Sequence, residues 1–235
     1  MLRVLLCVPV VTLYTLVLGV PALLGGLLDR SGRVAHAVCR LWGRLLLWTC
    51  GVRVVVSGAG HVVQGPAVYA ANHSSALDIP ILFGYLPVQF RVIHKRSLYL
   101  LPIIGWYLWL SGHISIDRSN PFRARRGLAA AAERIRTGTA VMVFPEGTRS
   151  PDTSVHVFKR GSFVLALGAG APVVPVSLIG VKAVIPRGFL TLRPGTVGLK
   201  IHPPVPTGGR AAEEAERLAE EVRAIVVRGC QGAVA

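Results

Sequence analysis

The chain has 235 residues, of which 52% are hydrophobic and only 16% are charged. Lys and Arg number 26 against 11 Asp and Glu, which gives a formal net charge of +15. The apolar content excludes a disordered chain, and together with the basicity it argues against a conventional cytosolic domain. The combination of apolar content and positive charge favours a membrane surface with anionic headgroups as the partner. Nucleic acid is the other anionic partner that such a charge allows.

The first predicted element is an uncharged run from Val4 to Leu28, which follows Arg3 and ends at Asp29. Its 25 residues exceed the roughly 20 that a helix needs to cross a bilayer. The run is also longer than the apolar core of a cleaved signal peptide, and no clear cleavage site follows it. Pro9 and Pro21 each remove a helical hydrogen bond, which complicates a simple span.

The segment Ser31–Cys50 predicts a second helix, with Arg33, Arg40 and Arg44 on one side and leucines and tryptophans on the other. That distribution is typical of a helix at a membrane interface. Basic residues lie mainly on the C-terminal side of the apolar run, so the positive-inside rule places that side in the cytoplasm. Residues 1–50 are thus predicted to anchor the chain in a membrane, either as a span plus a surface helix or as a hairpin within one leaflet.

After Gly51, short β-branched runs alternate with helical stretches, which predicts an α/β catalytic domain over residues 51–202. We expect a largely parallel sheet flanked by helices, followed by a linker and a C-terminal helix in residues 203–235. The predicted strands are Val52–Ser57, Ala67–Ala71, Gln89–Ile93, His113–Ile116, Ala140–Phe144, Pro172–Leu178 and Thr196–Ile201. The predicted helices of this part are Ile79–Tyr85, Arg123–Arg136, Ser162–Leu167 and Ala211–Val227.

Residues 72–78 read Asn-His-Ser-Ser-Ala-Leu-Asp and follow a predicted strand. His73 and Asp78 do not face each other on one helix, but they meet if His73 lies in the turn and Asp78 in the first helical turn, with Ser75 as N-cap. A carboxylate on one imidazole nitrogen raises the basicity of the other. His73 is therefore a candidate general base oriented by Asp78; the alternative is a loop histidine beside a helix-capping acid.

Three further blocks follow other predicted strands or lie within them. Residues 144–150 read Phe-Pro-Glu-Gly-Thr-Arg-Ser, in which Gly147 permits unusual backbone angles and Arg149 offers a fork for phosphate; the alternative is a turn with solvent-facing charges. Residues 112–118 end in Asp117 and Arg118, either a structural ion pair or an anion-binding arginine. Residues 173–176, Val-Val-Pro-Val, place Pro175 in a strand, where it is tolerated only at an edge or an irregularity.

In this order, the four blocks resemble the motifs of the glycerolipid acyltransferase family, and most closely those of its 1-acyl-sn-glycerol-3-phosphate acyltransferases. The resemblance runs from about Val52 to about Ile201 and includes the basic segments 94–96 and 158–161. It departs from the family at Ser115, where a large apolar residue is common; the Asp-Arg pair that follows is intact.

The resemblance implies that His73, oriented by Asp78, deprotonates the free hydroxyl of a lysophosphatidate, whose oxygen attacks the thioester of acyl-CoA or acyl carrier protein. It implies that Arg118 and Arg149 hold the substrate phosphate, with Lys95 as a further candidate. The whole substrate-binding set that it implies is Lys95, Arg118, Glu146, Gly147, Thr148 and Arg149.

No cofactor or metal site is expected, because the chain has no dinucleotide fingerprint, no phosphate-binding Walker loop and no spaced cluster of His and Cys. Nucleic acid is not an expected partner, because the arginine cluster around residues 123–136 lacks interleaved aromatic residues. Two alternatives stay open: an acyltransferase for another lysophospholipid or a lyso-aminolipid, and a non-catalytic basic protein that binds membranes.

Overall fold

The computed structural model describes residues 2–117, 121–185 and 191–232. Two long helices come first, and strands and helices then alternate. The helices are α1 (Leu2–Leu28), α2 (Arg33–Thr49), α3 (Asp78–Tyr85), α4 (Ile104–Leu110), α5 (Pro121–Arg136), α6 (Gly161–Ala169), α7 (Val181–Val184) and α8 (Ala215–Gln231). The strands are β1 (Val52–Ser57), β2 (Val68–Ala71), β3 (Phe90–Lys95), β4 (Ile114–Ile116), β5 (Ala140–Val143), β6 (Val173–Ile179) and β7 (Gly195–Ile201).

The strands form one seven-stranded sheet in the order β1-β7-β6-β2-β5-β3-β4. Every neighbouring pair is parallel except β6 and β7, which are antiparallel. The five strands from β6 to β4 therefore share one direction, and their carboxyl ends lie at the same edge of the sheet. This confirms the predicted α/β class with a largely parallel sheet.

The two central strands β2 and β5 are shielded from solvent, because every residue in each of them is buried. Their continuous apolar sequences suit strands that are covered on both faces. On one face lie α2 and α3, with Leu47 and Ile81 among the buried side chains. On the other lie α5, α6 and α8, with Phe163 and Leu218 in the core.

Pro175 lies in β6, an interior strand, at a point where the pairing changes. The residues Val173–Val176 pair with β2, whereas the ladder to β7 begins only at Val176. On the β7 side, the carbonyl of Pro175 accepts a hydrogen bond of 3.0 Å from His202 N–H. The proline therefore occupies the irregularity that its sequence context predicts.

Two of the three arginines of α2 contact the end of α3. Arg40 donates to the carbonyl of Leu86 at 3.2 Å, and Arg44 donates to the carbonyl of Gly84 at 2.9 Å. These carbonyls end α3, and the last carbonyls of a helix lack helical partners and attract cations. Of the three arginines, these two help to join the N-terminal helices to the α/β domain.

The crossing of α2 over α3 is close. A Cβ added at Gly43 would lie 2.6 Å from the carbonyl oxygen of Pro80 and 3.1 Å from the nitrogen of Gly84. Any side chain at Gly43 would therefore push the two helices apart.

The uncharged run forms α1, and its stretch Val4–Leu28 is long and apolar enough to cross a membrane. One side of α1 packs on α2, where Trp42 Nε1 donates to Thr15 at 2.9 Å and Tyr14 donates to Thr49 at 3.3 Å. The other side leaves many large apolar side chains exposed, including Leu13 and Val17. The helix α4 was not among the predicted elements, because its short apolar sequence has no polar face to reveal a helical period.

Candidate active site

The predicted site residues lie where parallel strands end. The block that begins at Asn72 follows β2, the block that contains Glu146 follows the neighbouring β5, and Lys95 ends β3. Open α/β sheets build their ligand sites at this edge. Arg118, the other arginine expected to hold phosphate, lies outside the described residues.

His73 and Asp78 meet, with His73 in the turn and Asp78 in the first turn of α3. The Nδ1 atom of His73 lies 2.7 Å from Oδ2 of Asp78, and the carboxylate is fully buried while the imidazole is 17% exposed. The same Oδ2 accepts the N–H groups of Ser74 at 2.8 Å and Ser75 at 2.9 Å. With Nδ1–H donated to the carboxylate, Nε2 is the basic nitrogen of the ring.

The helix start differs from the predicted N-cap. The N-cap is Leu77 and α3 begins at Asp78, so Ser75 is not the cap. Asp78 reaches back to the turn and takes the free N–H groups there itself, which leaves Ser75 Oγ as an acceptor for Leu77 N–H at 3.3 Å. One face of the His73 ring stacks on Phe144, with centroids 4.1 Å apart and an angle of 23° between the planes. This contact helps to fix the orientation of the imidazole.

Glu146 joins the two active-site loops from a buried position. Its Oε1 accepts the N–H of His73 at 2.7 Å, and its Oε2 accepts the N–H of His156 at 3.1 Å and the hydroxyl of Ser150. A second link runs the other way, because Ser150 N–H donates to the carbonyl of His73 at 2.8 Å. Both oxygens of Glu146 are thus occupied by groups of the protein, and the residue shapes the site by positioning the His73 loop.

The remaining predicted side chains that the structure describes lie at the surface. Thr148, Arg149 and Lys95 are all exposed. Burial lowers the pKa of the imidazole of His94, the neighbour of Lys95. Lys95 and Arg149 are thus exposed cations at this edge, where Lys159 and Lys182 also lie.

Gly147 sits in the left-handed region with φ of 79°. A Cβ there would lie 3.0 Å from Nζ of Lys159. The turn therefore needs glycine for its backbone angle, and Lys159, which has no predicted role, lies against it.

Two buried or half-buried side chains that support the site were missed as functional residues. Asn72 grips β6, because Leu178 N–H donates to its Oδ1 at 2.8 Å and its Nδ2 donates to the Leu178 carbonyl at 3.0 Å. Lys182, in α7, donates to the carbonyls of Ser150 at 2.9 Å and Ser74 at 3.4 Å. Asn72 stood in a recognised block, whereas a single lysine after a strand carries no signal in a sequence.

An apolar cavity of about 290 Å³ lies between α1, α2 and the start of α3, and neither His73 nor Asp78 is among its lining residues. Its lining includes Leu77 and Ile79, the chain neighbours of Asp78, together with Val11 of α1 and Trp42 of α2. A second cavity of about 190 Å³ shares Trp42 and Ile79 and continues toward α4. Among the described residues, no cluster of His, Cys, Asp and Glu could hold a metal ion.

Comparisons with known proteins agree with the fold and the motifs. The sequence model of the family described as Acyltransferase matches residues 53–179. A 1-acyl-sn-glycerol-3-phosphate acyltransferase of Chlamydomonas reinhardtii is 37% identical over 188 residues, covering 77% of this chain and 55% of that protein. The alpha form from Homo sapiens is 35% identical, covering 74% of this chain and 62% of that protein. The chain thus spans little more than half the length of these curated relatives.

A solved structure extends the similarity over nearly the whole chain. The crystal structure of the 1-acyl-sn-glycerophosphate (LPA) acyltransferase PlsC from Thermotoga maritima superposes with a TM-score of 0.83 at 33% identity. The match covers 98% of this chain and 94% of the PlsC chain, so it includes both N-terminal helices as well as the sheet.

Proposed function

The chain belongs to the acyltransferase family, and from this premise we propose that it transfers an acyl chain from a thioester to the free hydroxyl of a 1-acyl-sn-glycerol 3-phosphate, giving phosphatidic acid. The observation that carries the proposal is the pair of His73 and Asp78, joined at 2.7 Å at the carboxyl edge of the parallel strands. The acyl donor is acyl-CoA or acyl carrier protein, both of which present the same thioester.

In the proposed reaction, Nε2 of His73 takes the proton of the acceptor hydroxyl as its oxygen attacks the thioester carbonyl. A C–O bond forms, the C–S bond breaks, and the imidazolium returns its proton to the leaving thiolate. Asp78 stabilises the imidazolium and fixes the ring, and the two N–H groups that it accepts keep the carboxylate in place. No covalent acyl-enzyme is needed, because a thioester is already activated.

The exposed Arg149 and Lys95 are the proposed ligands of the acceptor phosphate, with Arg118 as the third. The cavity lined by Leu77 and Ile79 is proposed to take an acyl chain, because its lining is almost wholly apolar and includes the two chain neighbours of Asp78. Glu146, Gly147 and Thr148 complete the acceptor side through the loop that they form.

We assign residues 1–50 to membrane attachment, 51–202 to the catalytic unit and 203–235 to the segment that ends in α8. The exposed apolar side of α1 supports insertion in a membrane, with the catalytic unit on the cytoplasmic side. A membrane location suits the reaction, because the lysophosphatidate and the product both partition into lipid.

A thiol-release assay tests the proposal. Detergent-solubilised protein receives acyl-CoA or acyl carrier protein thioester together with lysophosphatidate, and His73→Ala and Asp78→Asn are measured alongside. We expect turnover by the wild type and a loss of at least about 100-fold in kcat for each variant. Turnover only with another lysolipid would reassign the acceptor. Lipid binding without turnover on any pair of substrates would leave a non-catalytic membrane-binding protein.

A further inference from the structure

We propose that the catalytic unit has its own lipid-contacting surface, formed by the end of the 3₁₀ turn Arg96–Leu100 and by α4, which rests in the interface of a bilayer containing anionic lipid. We call it the α4 surface. Its apolar members and their exposed fractions are Leu100 83%, Leu101 44%, Ile104 47%, Trp106 59% and Trp109 70%. The inference extends the membrane attachment proposed above, but it does not depend on the reaction catalysed.

The distribution of exposed large apolar residues over the described chain singles out this region. Most of them lie on α1, on α2 or between Leu98 and Trp109. Outside those segments, the described residues of this type are Val56, Phe122, Val157 and Val164. A group of exposed apolar residues close together in the chain, two of them tryptophans, is costly in water and marks a surface that meets another phase or partner.

The α4 surface continues the exposed apolar side of α1. A Cβ at Gly19 would lie 3.0 Å from Cγ2 of Ile103, and one at Gly26 would lie 2.9 Å from Cβ of Leu110. Both ends of α4 therefore pack directly against the second half of α1. A bilayer that receives the exposed side of α1 also reaches α4.

Backbone strain at the start of α4 supports a fixed presentation of this surface. Ile103 has φ of 63°, and among the described residues it is the only non-glycine with positive φ. A β-branched residue is disfavoured there, so the surrounding structure must hold it. The contact between its side chain and α1 does so, and α4 leaves the turn with Trp106 and Trp109 turned outward.

The charges around the α4 surface favour anionic lipid as the occupant. No Asp or Glu occurs from residue 79 to residue 116, whereas Lys95 and Arg96 are exposed directly before the surface. Tryptophans beside basic residues are typical of the headgroup layer, where the ring is half in lipid and the cation meets phosphate. A cavity of about 490 Å³ at this boundary is lined by Lys95, Arg96, Tyr99, Leu100 and Asp117 among others, so its charged lining has two cations against one carboxylate.

Vesicle partitioning of the full chain tests the inference without measuring activity. Detergent-solubilised wild type and the double variant Trp106→Ser, Trp109→Ser are diluted into vesicles of phosphatidylcholine alone or with about one-third phosphatidylglycerol. We expect the double variant to partition at least about tenfold more weakly, with the larger loss on the anionic vesicles. Val157→Ser, which alters a residue that is 73% exposed away from the surface, is the matched control and should partition as wild type.

Fluorescence gives a second readout that folding defects do not mimic. Brominated lipids should quench the wild type more strongly than Trp106→Phe, Trp109→Phe, because the two rings would lie among the acyl-chain ends nearest the headgroups. Equal partitioning and equal quenching of wild type and variants would overturn the inference. It would equally fail if the serine variant kept its vesicle binding and lost binding to acyl carrier protein, since the surface would then serve an acidic protein.

Discussion

Replacing Glu146 with Gln exchanges one buried carboxylate oxygen for the NH₂ group of an amide and leaves the shape of the side chain unchanged. The carboxylate accepts hydrogen bonds from His73 N–H, His156 N–H and the Ser150 hydroxyl. The amide has one oxygen, which satisfies His156 and Ser150 together if it takes the place of Oε2. Its NH₂ group then faces the N–H of His73, and a donor meets a donor.

The magnitude follows from that geometry. Losing one charge-assisted hydrogen bond costs about 1.5–3 kcal/mol, and the donor clash adds to this, so we expect the free energy of unfolding to fall by roughly 2–4 kcal/mol. A domain with a typical stability of about 5–15 kcal/mol still folds. The His73 loop moves away from Glu146, and a shift of about 1 Å at a general base costs on the order of 100-fold in rate.

The measurements are chemical unfolding in detergent and steady-state kinetics with separate kcat and KM. We expect E146Q to lose about 100-fold in kcat while KM for the acceptor changes less than about twofold. Glu133→Gln is the control, because that carboxylate is 63% exposed and pairs with Arg136 at 3.1 Å; its removal should cost less than about 1 kcal/mol. A tenfold rise in KM at unchanged kcat would mean that Glu146 contacts the acceptor, and the positioning argument would be refuted.

Two further predictions concern residues at the same edge, and a third concerns His202, which lies beyond the end of β7 at the opposite edge. Lys182→Met removes the donor to the carbonyls of Ser74 and Ser150 and should lower kcat about tenfold at unchanged melting temperature. Lys182→Arg should keep most of the activity, and equal losses in both variants would contradict a link by hydrogen bonding. Gly147→Ala forces a side chain into φ of 79° and should cost about 1–2 kcal/mol in thermal unfolding, while Gly168→Ala, in open space, should cost nothing. Burial lowers the pKa of His202 from 6.5 to about 4, so from about pH 6.5 downward the unfolded chain takes up a proton that the folded chain does not. Between about pH 6.5 and 4 this group should lower stability by up to about 1.4 kcal/mol per pH unit. Unfolding measured across that range should show a shallower slope in His202→Gln, and an identical slope would contradict the prediction.

Much of the fold was predictable because strand and helix patterns are local. The buried strands β2 and β5 are recognisable in the sequence as short apolar runs, and the predicted strand bounds agree with the structure to within a residue or two. The pairing of His73 with Asp78 was predictable for the same reason, since a turn and the first turn of a helix involve neighbouring residues. In contrast, α4 was missed because an apolar segment buried on one side and exposed on the other has no polar period to detect.

The amino-acid sequence by itself determined the α/β class, the apolar N-terminal helices and the dyad, since each depends on residues close together in the chain. Only the tertiary structure decided that β5 inserts beside β2, and with it the contact between Glu146 and His73. It likewise decided that Lys182 reaches both loops and that the arginines of α2 bind the end of α3. Such contacts depend on the order in which strands and helices pack, and a pattern of burial along the chain records that a residue is covered, not which distant residue covers it.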